Sequence, residues 1–134
     1  MFTLTDAQTT QLLENGRAAF SGDHVPVVKL FFTGGPHTWL ISALDPDDPD
    51  IAWCVADLGF GCVEAGTVSL FELQSTRLGP LAVEIDVHFD PQRHRLYEFF
   101  RAAQPERSLM TGIARVLATP RPDRGAVEGG DTDA

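Results

Sequence analysis

The chain has 134 residues, 43% of them hydrophobic, and a formal net charge of −9 with a single lysine, Lys29. This length and composition favour one globular domain with its own hydrophobic core. The charge argues against direct nucleic-acid binding, because phosphate contacts need clustered Lys and Arg side chains. No apolar run approaches the roughly 18 residues of a membrane helix, and the N-terminus lacks the pattern of a signal peptide. We therefore expect a cytoplasmic protein without membrane contacts.

The first third of the chain predicts one helix followed by two strands. Thr-Asp-Ala-Gln at 5–8 is a capping box, which predicts a short helix that ends between residues 15 and 19. The apolar, β-branched run at 27–32 predicts a central strand, and a Gly-Gly-Pro turn separates it from a second strand at 39–41. Asp-Pro-Asp-Asp-Pro-Asp at 45–50 predicts a turn instead of regular structure, because proline removes backbone donors and aspartate bonds nearby amides.

The middle of the chain predicts three more strands. Apolar residues at 51–58 and a shorter run at 63–68 predict strands three and four, and the Ser-Leu-Phe-Glu capping box at 69–72 predicts one or two helical turns. Residues 83–89 alternate in character, which predicts a half-buried antiparallel strand. Its inward residues are Val83, Ile85, Val87 and Phe89, and its outward residues are Glu84, Asp86 and His88.

The last third of the chain predicts two helices. Asp90-Pro91 is read as the N-cap and first residue of a helix that runs to about residue 103, and helical spacing after Pro105 predicts a final helix. Residues 119–134 lack periodicity and are predicted to be a disordered tail. The prediction is a single α+β domain over 1–118, with an antiparallel sheet of about five strands and helices on one face.

The net charge is concentrated in one third of the chain. Residues 45–90 hold ten carboxylates and one base, Arg77, which gives −9, while the other residues sum to zero. Because apolar residues are interleaved with these carboxylates, we expect a folded acidic face that binds a basic surface of a partner protein. The predicted partner-binding residues are Asp45, Asp47, Asp48, Asp50, Asp57, Glu64, Glu84 and Asp86.

One group of residues could instead carry metal chemistry. Asp and His are both ligands of divalent metals, and alternation places Asp86 and His88 on one strand face with Glu84. A metal-dependent enzyme using Asp86 and His88 is therefore the alternative function. Cys54 lies in a strand predicted to be buried, where a thiol is inert. No motif points to a resident cofactor, and we favour a protein that is not an enzyme.

Six segments, spread over most of the folded chain, are specific when they are taken together. They are LLENG at 12–16, PVVKLF at 26–31, TWL at 38–40, LDPDDPDIAWCVADLGFG at 44–61, E-x-G-x-V-S-L-x-E-L at 64–73 and RLGPLAVEIDVHF at 77–89. In these segments the chain resembles the bacterial domain-of-unknown-function family DUF2958. The resemblance implies a gene carried by plasmids, integrative elements or prophages, often near antirestriction and conjugation genes. It implies no reaction and no catalytic residue.

Together the charge and the resemblance predict a small acidic interaction protein of a mobile genetic element. Its predicted role is an inhibitor of the anti-restriction or anti-CRISPR type, which masks a basic, nucleic-acid-binding surface of a host defence complex. A further possibility is self-association through the apolar strand around Trp53. The oligomeric state and the identity of the partner are left open by the sequence.

Overall fold

The computed structural model describes residues 2–118, which form one antiparallel sheet with four helices. The helices are α1 (Asp6–Ala19), α2 (Leu70–Ser75), α3 (Leu96–Glu106) and α4 (Leu109–Leu117). The strands are β1 (Val28–Phe32), β2 (Thr38–Asp45), β3 (Asp48–Asp57), β4 (Val63–Ser69), β5 (Arg77–Leu78) and β6 (Leu81–Ile85). Their order across the sheet is β4-β3-β2-β1-β6-β5. No helix within 2–118 is long and apolar enough to cross a membrane.

The two capping boxes of the sequence begin α1 and α2 where they were predicted to. The Thr5 hydroxyl accepts a hydrogen bond from the Gln8 amide at 3.1 Å, and the Gln8 side chain accepts one from the Thr5 amide at 2.9 Å. Ser69 caps α2 by accepting from the Glu72 amide at 3.2 Å. Local hydrogen bonds of this kind satisfy amides that have no partner within the helix.

Two apolar clusters lie on opposite faces of the sheet. On β2, Trp39 and Ile41 belong to the cluster that includes Leu12 of α1, whereas Leu40 between them packs with Phe99 of α3. Successive strand residues point to opposite faces, so α1 and α2 cover one face while α3 and α4 cover the other. The α+β class with an antiparallel sheet is confirmed. The sheet has six strands, whereas about five were predicted. Helices pack on both faces of the sheet, whereas they were predicted on one face only.

The turn predicted at 45–50 is shorter in the structure, because β3 already begins at Asp48. The register between β2 and β3 shifts after the Asp45–Asp48 pair, and the next pair is Leu44 with Ala52. Pro49 lies in this bulge and before the first residue of β3 that pairs with β4, Ile51. A proline is tolerated there, since neither neighbouring strand needs its missing amide hydrogen.

The strand and the helix predicted on either side of Asp90 are present, but the end of the strand and the start of the helix were wrong. β6 ends at Ile85, and Val87, predicted to point inward, is 80% exposed. The Asp90 carboxylate accepts from the Gln92 amide at 2.9 Å, and Gln92 has a φ of +52°. This turn delays the start of α3 to Leu96. The tail predicted for 119–134 lies outside the described residues.

Candidate interaction surface

The residues at 45–50, called here the aspartate turn, hold their shape with their own carboxylates. The Asp45 carboxylate accepts from the Asp47 amide at 2.9 Å, and the Asp48 carboxylate accepts from the Asp50 amide at 3.4 Å. Such side chain–backbone bonds stabilise a turn without a hydrophobic core. Asp47 and Asp48 are exposed. The turn therefore fixes the backbone of Asp47 and one carboxylate oxygen of Asp48, and both side chains lie at the surface, where an external partner can reach them.

Asp50 connects the aspartate turn to α2. Its carboxylate accepts hydrogen bonds from the Ser69 hydroxyl at 2.5 Å and the Phe71 amide at 2.8 Å. These two bonds lower the pKa of Asp50. They also bring the first turn of α2 to the aspartate turn, where Phe71 is 68% exposed and Glu72 is also exposed. The surface thus combines carboxylates with one exposed aromatic ring.

The charges of the aspartate turn have no cationic partner within residues 2–118. No Lys, Arg or His side chain of this part of the chain lies within salt-bridge distance of Asp45, Asp47 or Asp48. Surface ion pairs of this part of the chain lie elsewhere, for example between Arg115 and Glu106. Unpaired carboxylates held close together produce a negative potential that attracts cationic groups.

Asp57, predicted to belong to the acidic surface, is a structural residue of the interior and is only 5% exposed. One carboxylate oxygen accepts from the Gly59 amide at 2.8 Å, and the other accepts from the Leu109 amide at 3.0 Å. Leu109 is the first residue of α4, so the negative charge also lies at the positive end of the helix dipole. Asp57 therefore attaches α4 to the end of β3, and a partner cannot reach it.

Asp86 is paired inside the chain. Its carboxylate accepts from the Lys29 ammonium at 3.0 Å and from the His88 amide at 2.9 Å. Partial burial acts to raise the pKa of Asp86, but these hydrogen bonds and the positive charges of Lys29 and His88 outweigh it and lower the pKa. The negative charge of Asp86 is thus largely compensated by the only lysine of the chain.

The backbone around Asp86 is not the extended strand from which a metal site was predicted. The alternation that was to align Glu84, Asp86 and His88 ends with β6 at Ile85, and the chain turns at Asp86. Within residues 2–118, no group of three or more His, Cys, Asp or Glu side chains is arranged to hold a metal ion. The metal-dependent alternative stays a prediction from the residue types alone.

Glu64 and Glu84 lie far from the aspartate turn. Glu64 is opposite Ala56, which is eight residues along β3 from Asp48, or about 25 Å at the rise of an antiparallel strand. Glu84 pairs with Phe31 of β1 and lies at the same end of the sheet as Glu64. The eight predicted residues therefore do not form one surface. The structure brings together four of them, Asp45, Asp47, Asp48 and Asp50.

Comparison with protein-family models tests the family resemblance that the sequence segments indicated. The family described as "Protein of unknown function (DUF2958)" matches residues 3–110. The chain belongs to the DUF2958 family. No curated protein and no solved structure matches it. The matched region contains the aspartate turn, α2 and all eight predicted residues.

Two features of the surface were not predicted from the sequence. The first is the exposed ring of Phe71. The capping box at 69–72 predicts that Phe71 lies on a helix, but it does not predict whether the ring is buried or exposed. The second is the Lys29–Asp86 pair, whose members are 57 residues apart. The lone lysine was the available signal, since a single cation beside many carboxylates is expected to pair with one of them.

Proposed function

We propose that this DUF2958 protein is an interaction protein that uses its aspartate turn to bind a basic surface of a partner protein. The observation that carries the proposal is that Asp47 and Asp48 are exposed on a hydrogen-bonded turn and have no cationic partner within residues 2–118. Arg and Lys side chains form their strongest hydrogen bonds with such carboxylates, and two neighbouring carboxylates imitate the charge of neighbouring phosphates.

Phe71 supports a protein partner over a small cation. An exposed aromatic ring next to charged groups is typical of interface residues that supply most of the contact area. An Arg side chain can stack on such a ring while its guanidinium group reaches a carboxylate. The partner surface that fits best is therefore rich in arginine.

The finer proposal is that this partner is a nucleic-acid-binding complex of the host cytoplasm, of the restriction or CRISPR type. Its support is the genomic setting that we expect from the resemblance of the sequence, on plasmids, integrative elements and prophages, often beside antirestriction genes. A protein that covers the basic surface of such a complex would inhibit it by excluding nucleic acid.

The first experiment is affinity capture from a bacterial host lysate at low and high salt. The double variant Asp47→Asn/Asp48→Asn removes two charges, leaves the Asp45 acceptor unchanged and keeps a side-chain oxygen at position 48 that can accept from the Asp50 amide. Its matched control, Glu64→Gln/Asp90→Asn, removes two charges away from the turn. We expect a captured protein whose retention falls at high salt, because exposed charge pairs are screened within about 10 Å at 0.1 M salt.

The variants separate a local site from an effect of net charge. We expect the turn variant to lose the captured protein and the control to retain it. Capture that survives in the turn variant, or that is lost equally in the control, would contradict a site at the aspartate turn. A partner whose retention is independent of salt would contradict the electrostatic basis of the proposal.

A further inference from the structure

Asp50 joins the exposed aromatic residue Phe71 to the aspartate turn by two hydrogen bonds. Its amide donates to the Asp48 carboxylate at 3.4 Å, and its carboxylate accepts from the Phe71 amide at 2.8 Å. Asp48 and Phe71 are far apart in the sequence, yet both are bonded to this one residue. A surface carboxylate and a ring that is 68% exposed therefore have a common support.

The carboxylate of Asp50 is occupied within the chain, unlike the side chains that surround it in the turn. One oxygen accepts from the Phe71 amide, and the other accepts from the Ser69 hydroxyl at 2.5 Å. Asp50 is half-buried, whereas Asp47 and Asp48 are exposed. A partner would have to share oxygens that already accept bonds, so the geometry of Asp50 suits orienting its neighbours better than contacting a partner.

The direction in which α2 leaves β4 depends on these bonds. Ile51 pairs with Ser69 across β3 and β4, so the sheet itself brings the start of α2 close to the turn. The two bonds to the Asp50 carboxylate then hold the first residues of α2 against the turn. Without them the sheet would stay paired, but the ring of Phe71 would lose its fixed position relative to the carboxylates.

A carboxylate held beside an aromatic ring distinguishes arginine from lysine. The guanidinium group is planar, so its edge can donate to a carboxylate while its face stacks on a ring. The lysine ammonium is a compact, strongly hydrated charge, and it is found over aromatic rings less often than arginine. Carboxylates alone attract both cations. Discrimination between the two therefore depends on the ring.

We infer that Phe71 makes the aspartate turn selective for arginine over lysine, and that Asp50 is the positioning residue that holds Phe71 at the turn. The inference rests on the proposed function, because it concerns how the same surface chooses among basic partners. It also divides the work among the aspartates of the turn. Asp47 and Asp48 contact the partner, whereas Asp50 acts through Phe71.

The test measures the binding of fluorescently labelled oligoarginine and oligolysine peptides of equal length to the purified full chain. The measured quantity is the selectivity, which is the dissociation constant of the lysine peptide divided by that of the arginine peptide. Phe71→Leu keeps an apolar side chain but removes the ring, and we expect it to lower the selectivity by about threefold. The matched control, Phe60→Leu, removes a ring that is 82% exposed in the turn between β3 and β4, at the other end of β3, and should retain the selectivity of the wild type.

Two variants of Asp50 separate positioning from contact. Asp50→Asn removes the charge but keeps an oxygen that can accept from the Phe71 amide, so we expect it to weaken both peptides by a similar factor and to keep the selectivity. Asp50→Ala removes the acceptor as well, and its selectivity should fall to that of Phe71→Leu. Circular dichroism checks that both variants keep the fold, and Phe71→Leu tests the selectivity without changing Asp50.

The failure of the inference is distinguishable from the failure of the proposed function. A selectivity that is the same in wild type and Phe71→Leu, or that Asp50→Ala retains in full, would overturn the inference. The proposed function would stand in that case if the double variant of Asp47 and Asp48 still weakens the binding of both peptides. Peptides that do not bind the wild type, or that bind this double variant as tightly as its charge-matched control, would overturn both.

Discussion

Replacing Asp57 by alanine removes a buried carboxylate that bonds two backbone amides. The Gly59 amide donates at 2.8 Å and the Leu109 amide at 3.0 Å, and Asp57 is 5% exposed. A hydrogen bond to a charged group stabilises a protein by about 1.5–3 kcal/mol. Gly59 lies in an exposed turn where water can replace the carboxylate, whereas Leu109 is fully buried. We therefore expect Asp57→Ala to lower the free energy of unfolding by about 3 kcal/mol, mostly through the bond to α4.

The assay is urea denaturation followed by circular dichroism, with Asp57→Asn as a graded variant and Glu64→Gln as the exposed control. Asparagine keeps one oxygen acceptor and should cost about half as much as alanine, while Glu64→Gln should change the free energy by less than about 0.5 kcal/mol. A loss in Asp57→Ala no larger than that of Glu64→Gln would refute the structural role of Asp57. It would also reopen the original prediction that Asp57 contacts a partner.

Three other predictions test the packing, the cysteines and the acid pairs. Gly16→Ala should destabilise the protein, because the added Cβ would lie 1.7 Å from the Leu44 backbone oxygen in β2. Alanine is favoured over glycine in a helix by about 1 kcal/mol, so a higher melting temperature of the variant would contradict the close contact of α1 with the sheet. Iodoacetamide at neutral pH should label the exposed Cys62 and spare Cys54, whose pKa burial raises to about 12; equal labelling in the folded protein would contradict this. Asp86→Asn should destabilise the protein at pH 7 by about 1 kcal/mol through loss of the Lys29 pair. Because the pKa of Asp86 is lowered on folding, this contribution is present above about pH 4 and is lost as the pH falls further, so wild type and variant should converge in acid in thermal melts.

The elements that the sequence predicts well are those with local signals. The capping boxes at Thr5 and Ser69 begin helices because the hydrogen bonds involved span only three residues. The strand predicted at 83–89 is present only up to Ile85, because the Asp86 carboxylate turns the backbone by accepting from the His88 amide although the alternation continues in the sequence. At this position the apolar periodicity predicts a strand and the aspartate side chain favours a turn, and the structure has the turn.

The candidate site was predicted less completely, because exposure depends on contacts that are remote in sequence. Asp57 and Asp47 are both aspartates next to turns. Asp57 is buried because α4 packs against it, whereas Asp47 is exposed. Lys29 removes Asp86 from the acidic surface in the same way. Local sequence carries no information about either partner, so a list of carboxylates overestimates the surface they form.

The most direct test of the account measures whether the aspartate turn displaces nucleic acid from a defence complex. Purified restriction and CRISPR effector complexes would be bound to labelled DNA, and the release of DNA would be followed as wild-type protein, Asp47→Asn/Asp48→Asn or Glu64→Gln/Asp90→Asn is added. We expect the wild type and the control variant to release the DNA of at least one complex. We expect the turn variant to need at least about tenfold more protein, the effect of losing roughly 1.4 kcal/mol of charge-assisted bonds. Equal release by the turn variant and the control, or no release from any complex by the wild type, would contradict the proposed function.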